Sequence, residues 1–184
     1  MSNQFSSGAS VVDGEVSKDW PLSQYDDEVY PVGTRRVQLA DEVNAANSTH
    51  YGNREWIFVF NDEASADFAE GDVVMLDNSD YKPYHGLKST ATLHKFRILG
   101  VAGGTIAAGK YGWIVASGVC EVTCGGSVAQ GDRIVSHSST AGQAETLTLN
   151  ADATTDNLEC VFGMALEADG SAGTKATCII RSVY

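Results

Sequence analysis

Apolar positions along this chain fall into short runs that read as strands. Trp56 to Phe60 (WIFVF) is a continuous run of β formers, the pattern of a strand buried on both faces. From Ala66 onward the runs become regular, at residues 73–76, 92–101, 112–123, 133–136, 145–149, 160–165 and 175–183. Gly-rich turns separate them at Ala102-Gly103-Gly104, Gly125-Gly126 and Asp169-Gly170. Short strands with frequent turns predict an all-β fold, a small β-barrel or sandwich. Residues 36–46 read either as a short helix, with Leu39, Val43 and Ala46 on one stripe, or as a strand with Val37 and Leu39 on one face; the helix is preferred.

The alternation is clearest over residues 112–124. One face carries Ile114, Ala116, Gly118, Cys120, Val122 and Cys124; the other carries Trp113, Val115, Ser117, Val119, Glu121 and Thr123. The first face is apolar and mostly small, as the inside of a narrow barrel requires. Cys120 and Cys124 share it, but their separation along the strand holds them ~13 Å apart, beyond the ~7 Å reach of a disulfide. Cys178, with Ala176 and Ile180 on its face, is the better neighbour for either. With Cys160 these are the four cysteines. No CxxC and no nearby His marks a zinc site, so core packing is the preferred role, ahead of a disulfide.

Three landmarks recur in order. Ala69-Glu70-Gly71-Asp72-Val73-Val74 returns as Ala129-Gln130-Gly131-Asp132-Arg133-Ile134, an offset of 60 from Gly71 to Gly131. Ile98-Leu99-Gly100-Val101-Ala102 returns as Val161-Phe162-Gly163-Met164-Ala165, an offset of 63 from Gly100 to Gly163. Ala108-Gly109-Lys110 returns as Ala172-Gly173-Thr174-Lys175. A near-constant offset predicts an internal repeat of about 66–124 and 125–184, and self-similarity of this kind decides a fold. Pairing two units about a pseudo-twofold would remove the open edges each has alone.

Residues 1–65 differ. They begin Ser-rich, then run acidic and aromatic-dotted through Asp19, Trp20, Pro21, Tyr25, Asp26, Asp27, Glu28, Tyr30 and Pro31, without a strand or helix period. They are expected to form an extended N-terminal arm with a strand at 56–60 ahead of a β-barrel domain at 66–184. Trp20, Tyr25 and Tyr30 are its candidate partner contacts, because interfaces favour aromatic anchors. Deleting residues 1–53 would, on this reading, leave a folded barrel.

Charge narrows the function classes. The 184 residues carry 24 Asp and Glu against 12 Lys and Arg, a net charge of −12. With no basic cluster, nucleic acid is not an expected partner. The opening residues lack the basic start and apolar core of a signal peptide, and no stretch approaches the ~20 apolar residues that span a bilayer. Synthesis in a cytoplasm and no membrane partner are expected.

Catalytic and cofactor motifs are missing. His50, His85, His94 and His137 are dispersed, and HExxH, GxSxG, Walker A and dinucleotide Gly patterns do not occur. His137 between Ser136 and Ser138 sits in a polar turn. Asp26-Asp27-Glu28 lacks an EF-hand framework and reads as a solvated charge run. No enzyme, cofactor or metal is expected.

Three strings carry a resemblance: GWIVASGVCEV, AQGDRIV and VFGMALEADGSAGTKATCII. Ser117-Gly118-Val119 ending a strand, the Gly131-Asp132 turn, and Gly163-Met164-Ala165-Leu166-Glu167-Ala168 before a closing strand are together similar to the tailed-phage capsid decoration (head-stabilising, or cement) proteins. The resemblance covers Ala108–Ile180 well and extends weakly back to Ala66; residues 1–65 depart from it. It implies a structural virion protein on the outer capsid surface that bridges major capsid protein subunits, with itself as a further partner in a homotrimer. The alternative is a head-fibre or tail module binding receptor or glycan, with Tyr81, Tyr84, Tyr111 and Trp113 as stacking residues. A third reading, a carbohydrate-active enzyme, would need paired carboxylates in a cleft.

Overall fold

The computed structural model describes residues 22–39, 52–77, 82–89, 97–148 and 161–182, together with the backbone of 11–12 and 15–16. Within them the chain is all-β, with no helix. β1 (Val11–Val12) and β2 (Glu15–Val16) pair with each other. β3 (Gln24–Tyr25), β4 (Arg35–Gln38) and β5 (Arg54–Asn61) are followed by β6 (Val73–Leu76), β7 (His85–Lys88), β8 (Ile98–Ala102) and β9 (Tyr111–Thr123). β10 (Arg133–Ser136), β11 (Ala144–Thr146), β12 (Gly163–Ala165) and β13 (Lys175–Arg181) complete the order.

The large sheet closes on itself. β9 pairs antiparallel with both β8 and β5, β8 pairs with β6, β6 with β7, and β7 lies parallel to β5. These five strands form a closed circuit, which leaves none of them with two bare edges. Ile57, Val59, Phe68, Val74, Leu99 and Ile114 fill its inside and are buried. A second circuit reuses β9. Its C-terminal half pairs with β13, β13 with β12, β12 with β10, and β10 with β11. The parallel bridge from Ala144 to Cys124 returns to the end of β9. Cys120, Val122, Ile134, Phe162, Ala165 and Cys178 are buried there.

The repeat recurs bond for bond. Gly71 N–H donates to Ala102 O, and Gly131 N–H to Ala165 O, both at 2.8 Å. Ala69 N–H donates to the Asp72 carboxylate at 2.8 Å, and Ala129 N–H to that of Asp132 at 2.9 Å. Gly109 N–H reaches Asn61 O at 2.9 Å, and Gly173 N–H reaches Cys124 O at 2.6 Å. Gly71 and Gly131 take φ of 91° and 89°, a left-handed turn that glycine adopts without steric cost. In this equivalence β5 matches the C-terminal half of β9. The long central strand therefore closes one circuit and opens the next.

Two readings of local pattern change. Residues 36–38, preferred as helix, are strand β4, because they pair with β5 from Arg35↔Ile57 to Gln38↔Arg54; residues 40–46 of that stretch lie outside the described residues. Residues 92–96 of the strand read at 92–101 and Leu149 of the one read at 145–149 lie outside them too. The first face of residues 112–124 is the one expected to point into the core, yet Trp113 and Val115 on the second are as buried as Ile114. β7 carries no strand signal in the sequence, since His85-Gly86-Leu87-Lys88 is short and mixed in polarity.

Candidate functional site

Each circuit has an outer face, and the two are finished differently. On the first, Phe58 and Trp113 project outward at a centroid separation of 5.1 Å. Tyr30 lies on both, at 5.3 Å edge-on to Phe58 and 5.4 Å from Trp113. Tyr25 meets Phe58 at 5.8 Å and Tyr30 at 6.2 Å. The Arg36 guanidinium caps the cluster, 4.6 Å above the Tyr30 ring and 5.2 Å from that of Trp113. Each aromatic pair contributes about 0.5–1.5 kcal/mol beyond its burial, and an exposed cation–π contact about 0.5–1 kcal/mol. Beside it, Trp56 Nε1–H donates to Gln38 Oε1 at 3.0 Å, and Gly103 leaves room for the Trp56 ring.

The chain from Leu22 to Gln38 is thus a cover laid over the first circuit. Backbone bonds fasten it: Gly33 N–H to Phe58 O at 2.7 Å, and Phe58 N–H to Thr34 O at 2.9 Å. Its acidic run is held locally. Asp26 pairs with Lys110 at 2.8 Å, and that hydrogen bond and charge hold its carboxyl below the usual range. Glu28 accepts from Val32 N–H at 3.0 Å.

This placement bears on the expected partner contacts. Tyr30 retains 9% of its surface, too little to anchor another molecule. Tyr25 is half-buried, and Trp20 lies outside the described residues. The aromatic residues weighed for sugar stacking are also engaged: Trp113 is buried, Tyr111 stacks on Phe58 at 5.9 Å, and Tyr84 packs on Gly33. Tyr81 lies outside the described residues, as do His50, His94 and Cys160.

On the second circuit the outer face carries no cover among the described residues. Val119, Ile179 and Met164 sit side by side across β9, β13 and β12. Met164 is 41% exposed and Ile179 43%. Met164 and Ile179, with Val161, Phe162, Gly118 and Gly163, line a shallow groove of about 460 Å³, rimmed by Arg133 and Arg181. The two glycines lower its floor, because neither contributes a side chain. Register makes Val119, Met164 and Ile179 the counterparts of Trp56, Val101 and Val115 in the first circuit. Those three are buried. At the other end of the face, the counterparts of Phe58 and Trp113 are Glu121 and Thr177, with Thr177 N–H donating to Glu167 at 2.9 Å.

Among the described residues, His137 and three cysteines are tied into the fold. His137 Nδ1 accepts from Ser139 N–H at 3.0 Å and Thr140 N–H at 2.9 Å. Ser138 donates to Glu145 rather than to His137. The imidazole therefore ties a turn together. Cys120 and Cys178 face each other across β9 and β13 as free, buried thiols. Burial pushes Cys120 up to about 12, Cys124 up to about 11 and Cys178 higher still. No cluster of three or more His, Cys, Asp or Glu that would hold a metal occurs among the described residues, and no described helix is long and apolar enough to cross a membrane.

Comparison with known proteins bears on these surfaces. A family model described as phage cement protein matches residues 63–181, a span that takes in the groove, the whole second circuit and every strand of the first except β5. Among solved structures, the head fibre gp8.5 N base of bacteriophage phi29 is similar, at a TM-score of 0.43 and 16% identity over 68% of this chain and 92% of that one. A search of curated proteins returned no significant match.

Proposed function

Because the chain belongs to the phage cement protein family, we propose that it is a structural virion protein that binds the outer surface of a phage capsid, bridges major capsid protein subunits and stabilises the head. The observation that carries this reading is the family match over residues 63–181. The mechanism is mechanical rather than catalytic. A protein that binds the assembled shell but not free subunits shifts assembly by mass action. Many identical sites on one lattice add avidity. Copies associate with one another, as a homotrimer, and are made in the host cytoplasm. Two repeat units, about 66–124 and 125–184, form the scaffold, with β5 completing the first. Capsid contact falls to the N-terminal arm, with Trp20 as its aromatic anchor.

The test uses undecorated heads of the parent phage. Purified protein added to them should co-sediment and raise the temperature at which the heads rupture. Absence of both effects would sink the proposal.

A further inference from the structure

We propose that the groove on the second circuit seats residues 22–29 of a second copy of this chain, in a head-to-tail contact. This rests on the reading that copies associate, and not on capsid binding. Large exposed apolar residues occur in two places among the described residues. Leu22 (60%), Val29 (43%) and Val37 (49%) lie on the cover segment, and Met164 and Ile179 lie in the groove. Leu22 and Val29 flank the acidic run Asp26-Asp27-Glu28, all exposed, in which Asp26 also pairs with Lys110 of its own chain. The groove is rimmed by Arg133 and Arg181, both exposed and without an ion-pair partner among the described residues. On a chain of net charge −12, two arginines beside an apolar strip mark the site where an acidic, apolar-flanked segment fits, since opposite potentials steer docking and fix its register.

The repeat points the same way. At the corresponding face of the first circuit Gln38 of the cover bonds Trp56, and Trp56, Val101 and Val115 are all buried. The second circuit keeps aliphatic residues at those positions without a cover among the described residues. The cover segment cannot serve both faces of one copy: its inner side, through Tyr25 and Tyr30, is already committed. Its outer side remains available to a neighbour. A contact between two different surfaces of one chain is heterologous, and it closes into a ring such as a trimer when the rotation permits.

Two double variants test this. Arg133→Glu with Ile179→Asp disables the groove; Leu22→Asp with Val29→Asp disables the segment. All four side chains are at the surface, and circular dichroism checks that the fold is kept. By sedimentation equilibrium, wild type should be an oligomer and each variant alone a monomer, its self-association weakened about 30-fold or more. An equimolar mixture should form a one-to-one heterodimer, because each variant keeps one intact surface. A monomeric wild type, oligomers unaffected by either variant, or monomers that fail to complement would each overturn the proposal. Groove variants that stay oligomeric but no longer sediment with heads would assign the groove to the capsid instead.

Discussion

Residues that look interchangeable in the repeat carry different loads. Gly71 and Gly131 occupy the same turn with the same positive φ. A Cβ on Gly71 would lie 2.6 Å from Thr123 Oγ1 and 3.1 Å from Thr123 N, while one on Gly131 would meet nothing within 4 Å. Both Ala variants incur the left-handed penalty of about 1–2 kcal/mol. Gly71→Ala should cost about 1–3 kcal/mol more through overpacking. Urea midpoints decide it: equal shifts would mean Thr123 moves aside freely. The cysteines give a second residue-scale prediction. Desolvation raises the Cys120 and Cys124 thiols to about 12 and 11, so native protein near neutral pH should resist iodoacetamide at Cys120, Cys124 and Cys178, and urea should make all three react. Peptide mapping reads this directly. Folding holds these protons more tightly than the unfolded chain does. Their stabilisation is therefore complete below the unfolded value of 9.0 and is lost as pH rises from there towards 12. Cys120→Ala should flatten that alkaline decline.

At the scale of elements, β9 and the N-terminal segment show where a one-dimensional pattern misleads. The C-terminal half of β9 alternates as read, with Cys120 and Val122 inside and Glu121 and Thr123 half-buried. Its N-terminal half is buried on both faces, because an irregular segment distant in sequence lies over Trp113. That segment has no period to read, since it is held by ring packing and by pairing to β5 and β9. Its aromatic residues look like partner anchors from sequence, and Tyr30 proves to be core. The expectation that residues 1–53 are dispensable for folding changes with it. Their deletion strips the cover from Trp56, Phe58 and Trp113. Loss of one Phe-sized buried side chain typically costs about 3–5 kcal/mol, comparable to much of a domain's stability. The truncated protein should bind a hydrophobic dye and lose its cooperative thermal transition. A truncation that melts as sharply as the full chain would show that the cover is an accessory.

For the whole molecule, function follows from how surface is left over once the two circuits close. Closure uses up most strand edges, and the cover uses up one outer face. What remains among the described residues is the exposed apolar side of the cover, Leu22, Val29 and Val37, and an aliphatic strip between two arginines on the second circuit. The sequence by itself determined the all-β class, the strands at 56–60, 73–76 and 133–136, the duplicated Gly-Asp turns, and the likeness to cement proteins. Each rests on a local signal: β propensity, period-two alternation, or glycine where φ must be positive. Tertiary structure alone decided that β9 serves both circuits, that Tyr30 faces inward, and that Met164 and Ile179 are bare while Val101 and Val115 are covered. These depend on which distant segment lies over a given face. A strand's own pattern shows that a face is apolar, but the same Val or Ile is core or contact surface according to what packs on it.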